Sequence, residues 1–278
     1  MRENLIARAA VSTSIGRPNF NQYAGGVMLP NTDNPPGPAN QIVLNNAGIK
    51  PWAATSLKVR LEYYFTGVGQ FAVGAFRREY ENFFGNTIFT PSPEFLALYG
   101  LDPTEYGAYE VSTDFNLPGI VRTEGFDASY KQALTFLPSW ARGVQVFGNI
   151  STRRTRGARL GSIGFNDIPR SGSWGVSLTR PRFTVRLNCS FRAAQRFNEV
   201  IGVGIEPGTY RFIPARNTVD VLGEYTFSKR FAVFANLRNV GDVPDERTTV
   251  GPNTPPHAQL VNRMRFGSLW TFGVKGSF

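Results

Sequence analysis

Apolar and polar residues alternate with a period of two along about ten segments of this chain, which predicts β-strands with one greasy and one wet face. In TSLKVRLEYYF, Leu57, Val59, Leu61, Tyr63 and Phe65 share one face, opposed by Lys58, Arg60, Glu62 and Tyr64. In FTVRLNCSFR, Phe183, Val185, Leu187, Cys189 and Phe191 form the apolar row against Thr184, Arg186, Asn188, Ser190 and Arg192. The same dyad sets Phe231, Val233, Ala235 and Leu237 against Asn236 and Arg238, and Val221, Gly223, Tyr225 and Phe227 against Asp220, Glu224 and Thr226. Val144, Val146, Gly148 and Ile150 oppose Gln145, Asn149 and Ser151. Trp174, Val176 and Leu178 oppose Ser177 and Thr179, and Leu5, Ala7, Ala9 and Val11 oppose Arg8 and Ser12. The stretches Phe71 to Ala75 and Phe126 to Tyr130 fit more weakly.

A soluble β-sandwich also alternates, so the connections have to decide. Short turns at Thr66 to Gln70, Pro138 to Gly143, Arg180 to Arg182 and Ser228 to Arg230 take turns with long polar connections, roughly Gly16 to Ala54, Thr90 to Gly119 and Asp242 to Arg263. Short turns on one rim and long loops on the other are the habit of transmembrane β-barrels, whereas loops beyond about 12 to 15 residues are rare at alternate connections of a soluble domain. Charge placement agrees. An Arg or Lys facing lipid at the bilayer midplane costs roughly 2 to 4 kcal/mol, and slipping the register by one residue would turn Lys58, Arg60 and Glu62 into lipid together. Tyr63, Tyr64, Phe65, Trp140, Trp174, Trp270 and Phe272 lie where interfacial aromatic girdles are expected. The reading is all-β: an antiparallel transmembrane β-barrel of about ten strands, with residues 1–278 as one domain.

Composition narrows the alternatives. The chain is 41 % hydrophobic with no run near the roughly 18 apolar residues that a spanning helix needs. Its 29 Gly, 19 Pro and 23 Phe suit many short strands and turns. One Cys and one His leave no disulfide framework and no metal or His-dependent catalytic set, so neither a cofactor nor a catalytic or metal site is expected. Cys189 falls in a lipid-facing row, and His257 lies in a loop, GPNTPPHAQ. The net charge of +10 is spread along the chain without a basic run, which argues against nucleic acid as a partner. MRENLIARAAVSTSI lacks the apolar core and cleavage site of a secretory signal, so the natural chain is expected to extend upstream of Met1.

The last strand, LWTFGVKGSF, places Trp270, Phe272, Val274, Gly276 and Phe278 at alternate positions against Thr271, Gly273 and Lys275. A terminal amphipathic strand ending in an aromatic residue resembles the signal read by the barrel-assembly machinery of Gram-negative outer membranes, with Phe278, Val274, Phe272 and Trp270 as its carriers. Four further stretches resemble the TonB-dependent receptor family. STSIGRPNF (Ser12 to Phe20) is similar to the family's Arg-Pro strand exit. NNAGIKPWAATSLKVRLEYYF (Asn45 to Phe65) is similar to its Asn-Pro-x-Leu-Lys-Pro-Glu approach to the next strand, departing at Ala47, Gly48 and Trp52. VRTEGFDASY (Val121 to Tyr130) resembles its Gly-Phe-Glu-x-Ser-Tyr strand, and FANLRNVGDVP (Phe234 to Pro244) its penultimate strand, with Gly241 in place of the usual Phe.

The resemblance implies the C-terminal part of a barrel of about 22 strands, truncated at its N-terminus and lacking the plug and the TonB-contacting segment. It implies an outer-membrane receptor and transporter fragment for TonB-energised uptake of a scarce ligand such as an iron chelate, cobalamin or an oligosaccharide. Partners would be outer-membrane lipid and the assembly machinery, with TonB engaged only through the missing N-terminal region. Arg60, Arg186, Arg192 and Arg238 would point into the lumen, either toward an anionic ligand or into ion pairs with Glu62, Asp220 and Glu224. The alternative is a self-contained small barrel acting as a passive pore. An incomplete barrel has two open edges, intolerable in lipid unless another chain or segment pairs with them.

Overall fold

The computed structural model describes residues 4–65, 68–157 and 168–276. The first third comprises β1 (Leu5–Gly16), α1 (Phe20–Tyr23), β2 (Val27–Met28), β3 (Ile42–Leu44), β4 (Trp52–Tyr64), β5 (Gly69–Glu81) and β6 (Phe84–Phe89). The middle comprises α2 (Pro93–Leu98), α3 (Pro103–Tyr106), β7 (Val111–Asn116), β8 (Ile120–Ala133), β9 (Val144–Arg156), β10 (Arg170–Thr179) and β11 (Phe183–Arg192). The remainder comprises β12 (Gln195–Glu199), β13 (Tyr210–Ile213), β14 (Arg216–Ser228), β15 (Phe231–Arg238), β16 (Asp245–Val250), β17 (Leu260–Met264) and β18 (Leu269–Gly276).

Ten of these strands build one antiparallel sheet in the order β1-β4-β5-β8-β9-β10-β11-β14-β15-β18, so every long strand pairs with the next long strand in sequence. The register carries the sequence pattern across the sheet. Leu61 stands opposite Val73, Val73 opposite Ala128, and Ala128 opposite Ile150. Leu187, Val221, Leu237 and Trp270 make a second row, and Phe183, Tyr225, Val233 and Val274 a third. These apolar rows share the uncovered face: Leu61 is 44 % exposed whereas its neighbour Glu62 is 8 % exposed. Such an inversion is stable only where the outer face meets hydrocarbon rather than water. Cys189 lies on that face between Trp174 and Val219.

The covered face has its own device. Phe76, Phe147 and Phe234 point inward, each directly opposite a glycine of the next strand: Gly125, Gly175 and Gly273. A Cβ built on those glycines would meet the partner ring at 3.0, 2.4 and 2.5 Å, so each ring lies over bare backbone. Aromatic cover of a strand glycine restores the packing that the missing side chain forgoes.

The partial-barrel reading holds, whereas the alternative of a closed small barrel and the single-sided placement of charge do not. The ten strands form an open sheet: among the described residues β1 and β18 are its two edges, so the strands do not close into a self-contained small pore. The charges do not all keep to the inner parity either. Arg77 and Glu79 continue the outward row of Val73, and Glu124 and Arg122 that of Phe126. Arg154 and Arg156 continue the row of Ile150, so the upper ends of β5, β8 and β9 carry charge outside. Burial of apolar surface is demanded only over the hydrocarbon thickness, and strands of 13 and 14 residues outrun the roughly 9 to 11 that span it.

The connections alternate as expected. Two residues, Lys229 and Arg230, join β14 to β15, and Arg180 to Arg182 join β10 to β11. The opposite rim carries the long connections, which hold ordered structure that the sequence pattern did not announce. Two of them jointly form a four-stranded sheet in the order β2-β3-β7-β6, in which β3 and β7 run parallel with Ile42 opposite Val111. Ile42, Leu44, Leu96, Tyr109 and Val111 form its core, and Phe89 and Phe95 pack against it. α2 is placed by Ser92, whose Oγ accepts a hydrogen bond from the Phe95 amide at 3.2 Å, with Pro93 opening the helix. A second sheet in the order β12-β13-β16-β17 rises above β11, β14, β15 and β18.

Candidate functional site: the inner wall and its mouth

On the inner wall near the short-turn rim, Glu62 gathers its neighbours. Arg60 Nε donates to Glu62 at 2.9 Å and Arg60 Nη1 to Asp127 at 2.8 Å, and the Tyr64 hydroxyl donates to Glu62 at 2.9 Å. Arg8 adds an ion pair at 3.7 Å. Arg60 is thereby engaged by two carboxylates, an arrangement that braces β1, β4 and β8 against one another across β5. Arg186 donates to Asn188 at 2.9 Å and lies over the Phe147 ring, 4.6 Å from its centroid, so it is held by a hydrogen bond and a cation–π contact. Glu224 pairs with Lys275 of the final strand, and Asp220 accepts the Asn239 amide at 2.8 Å. Neither of these carboxylates takes an arginine among the described residues.

Arg192 and Arg238 stand at the upper end of the wall. Arg192 is half-buried directly opposite Arg216, and its Nε and one Nη atom are buried without a hydrogen-bond partner. Arg216 reaches the Val243 carbonyl at 3.1 Å and Asp245 at 3.6 Å. Arg238 is exposed opposite Leu269. The four arginines are thus dispersed over the wall rather than gathered at one point.

The mouth holds a cluster that the alternation pattern does not single out. Trp52 meets Tyr80 edge-on at 5.5 Å between centroids, and Phe83 lies 5.0 Å from Tyr80 and 6.2 Å from Trp52. Arg78 sits 5.9 Å above the Tyr80 ring and donates to Ser56 at 2.6 Å. Trp52, Tyr80 and Phe83 belong to strand ends and a turn between the two first long connections, so only the fold brings them together. Asn116 secures this corner: its Nδ2 donates to the carbonyls of Lys50 at 2.8 Å and Asn82 at 2.7 Å, and its Oδ1 accepts the Lys50 amide at 2.7 Å. Across the mouth, a groove of about 300 Å³ in the second loop sheet is lined by Phe197, Arg211, Phe212, Arg247, Thr249 and Val261. Aromatic faces and arginines at a loop-built mouth suit a planar, anionic ligand.

The terminal strand places Trp270, Phe272 and Val274 on the outer face at 59, 65 and 67 % exposure, with Lys275 turned inward. Phe278 lies outside the described residues. His257 is exposed in a turn at Pro256–Ala258. Among the described residues no group of three or more His, Cys, Asp or Glu could hold a metal ion, and no helix is long and apolar enough to cross a membrane.

Known proteins share this architecture. A mutant of the ferric enterobactin receptor PfeA from Pseudomonas aeruginosa superposes with a TM-score of 0.66 at 13% identity, covering 100% of this chain and 39% of the receptor. The siderophore receptor PirA from Acinetobacter baumannii gives 0.65 at 12% identity over 100% of this chain and 40% of its own. The pyoverdine outer membrane receptor FpvA from Pseudomonas aeruginosa, bound to pyoverdine, gives 0.59 at 13% identity over 100% and 34%. The chain therefore spans about two fifths or less of the receptors it matches, and at these identities the likeness is one of fold. No curated protein matches the sequence. The family model described as TonB dependent receptor-like, beta-barrel matches residues 1–240, and with ten meandering strands, apolar outer rows and long loops on one rim, the chain belongs to the TonB-dependent receptor β-barrel family.

Proposed function

We propose that residues 1–278 form a single barrel segment of an outer-membrane receptor of a Gram-negative bacterium, contributing wall and mouth to the TonB-energised uptake of a ferric siderophore. The observation that carries this reading is the joint placement of a lipid-facing apolar belt, a charged inner wall, and the Trp52–Tyr80–Phe83 cluster with Arg78 at the loop-built mouth. Among the similar structures, one is a ferric enterobactin receptor in complex with enterobactin and another a receptor bound to pyoverdine, which supports an iron chelate over cobalamin or an oligosaccharide. Uptake belongs to the whole receptor, including its plug and TonB contact. This chain supplies binding groups and a path wall and performs no chemistry on its cargo. Its outer-membrane location, its need for the barrel-assembly machinery and the insertion signal at Phe278, Val274, Phe272 and Trp270 belong to the same proposal.

The test uses Trp52 as reporter, because it sits at the mouth whereas Trp174 and Trp270 face outward. The chain refolded in detergent is titrated with ferric enterobactin and with ferric pyoverdine at micromolar concentration. A saturable quench that is lost in Trp52→Phe and weakened at least tenfold in Arg78→Gln is expected for one of them. No change in emission with either chelate would sink the siderophore reading.

A further inference from the structure

The outward charges of β5, β8 and β9 adjoin the upper β5–β8 edge of a groove in the apolar belt, and together the two have the form of a lipid site. The groove encloses about 550 Å³ and is lined by Ala7, Ala9, Val59, Val73, Ala75 and Phe126. With Leu61 they make seven outer-row residues, of which three are alanines, and these leave a trough flanked by larger side chains. The row of Ala9, Val59, Ala75 and Phe126 is followed, one step toward the long-loop rim, by Val11, Leu57, Arg77, Glu124 and Arg154. The next step brings Glu79, Arg122 and Arg156. Arg170 also faces out beside Thr152, and Glu81 ends the row of β5.

Five arginines therefore meet three carboxylates on one outer patch. Glu79 accepts from Arg77 at 2.5 Å and from Arg122 at 2.9 Å, and Glu124 holds Arg156 at 3.5 Å. Those pairs fix the guanidinium planes and leave further N–H donors facing out. Arg154 is exposed and has no ion pair with the described residues, so the patch keeps an excess of positive charge. In water such a patch would be an ordinary solvated surface. Here it adjoins hydrocarbon on the same face, at the level where lipid phosphates lie, and arginine binds phosphate through paired N–H donors.

We infer that this face binds a phosphate-bearing lipid of the outer leaflet, its headgroup phosphate held by Arg77, Arg122, Arg154 and Arg156 and one acyl chain laid in the alanine trough. The inference rests on the membrane-spanning reading of the sheet and not on the identity of the transported ligand. Headgroup and chain are recognised by different residues, which makes two arms of a test independent.

The full chain, solubilised in dodecyl maltoside, is titrated by native mass spectrometry with bisphosphorylated lipid A and with the same lipid after dephosphorylation. The phosphorylated form is expected to bind at least tenfold more tightly. That preference is expected to vanish in Arg77→Gln/Arg154→Gln and to survive in Arg77→Lys/Arg154→Lys. Ala9→Phe is expected to weaken both forms by a similar factor, because the trough is filled while the charges stay. Equal affinity for the two lipids, an undiminished preference in the glutamine variant, or equal competition by inorganic phosphate would overturn the proposal. Quenching of Trp174 by brominated acyl chains, read on the same samples, reports separately whether the outer face meets lipid. Its absence would defeat the membrane reading itself, whereas quenching without a phosphate preference defeats only the lipid site. Strand content by circular dichroism verifies that each variant is folded.

Discussion

The wall and the first loop sheet are both β-structure built from the same amino-acid types, yet they bury opposite faces. In the loop sheet, Ile42 and Val111 are fully buried and the partly exposed Val43 faces water, as in any small soluble domain. In the wall, Leu61, Val73, Phe126 and Val233 are exposed while Ser56, Glu62 and Thr123 are buried. On the proposed membrane-spanning reading, burial follows the solvent on each side, hydrocarbon outside the wall and water around the loops, rather than a fixed rule of apolar inside. The same reading separates the energetics: side-chain packing holds the loop sheet, whereas the wall would depend on its strand ladder and on surrounding lipid.

The largest effect that would break this contrast is a cavity in the loop sheet. Ile42→Ala should cost about 2 to 5 kcal/mol locally and speed hydrogen exchange of the β3 and β7 amides without altering exchange in β14. An acceleration shared by both regions would mean that they unfold as one unit. A charge on each exposed valine comes next. Val233→Arg should cost roughly 2 to 4 kcal/mol of unfolding free energy in phospholipid vesicles, and Val43→Arg about zero. Equal costs would erase the distinction between the two outer faces.

A smaller effect sharpens how the wall packs inside. Gly125→Ala pushes a methyl against the Thr152 carbonyl and the Phe76 ring, and should cost about 1 to 3 kcal/mol that Phe76→Leu partly restores. Ser92→Ala removes the α2 cap and should cost about 0.5 to 2 kcal/mol, visible as faster proteolysis within residues 90–100 and nowhere in the wall.

The least of these effects is a pH dependence confined to the loops. The Thr104 hydroxyl and amide, donating to Asp102 at the start of α3, hold its carboxyl below the ordinary carboxylate value. Its contribution is present above the unfolded value of about 4 and is lost as pH falls through the lower folded value. Protease sensitivity around α3 should therefore rise only in acid, and in Asp102→Asn that acid dependence should disappear.

The wall was legible in the sequence because each strand writes its own two faces. The parity assigned to Leu57 through Phe65, to Phe183 through Phe191 and to Trp270 through Val274 is the one the sheet shows. The loop sheet was illegible for a physical reason: Ile42 and Val111 pair across nearly seventy residues, and three apolar residues in IVL carry no period to read. The mouth cluster escaped for the same reason, since Trp52, Tyr80 and Phe83 meet through the pairing of β4 with β5. The outward arginines Arg77, Arg122, Arg154 and Arg156 were not legible because strand periodicity does not say where an apolar belt ends.

The inward phenylalanines solve a problem that alternation leaves open. Sliding one strand past its neighbour by two positions preserves every inside and outside assignment, so greasy and wet rows offer no defence against it. Phe76, Phe147 and Phe234 do, because after such a slide each ring would strike a side chain where it now rests on a glycine. Three such ring-and-notch joints, spaced across the sheet, fix the stagger between strands, and stagger is what sets the width of the lumen once a barrel is complete.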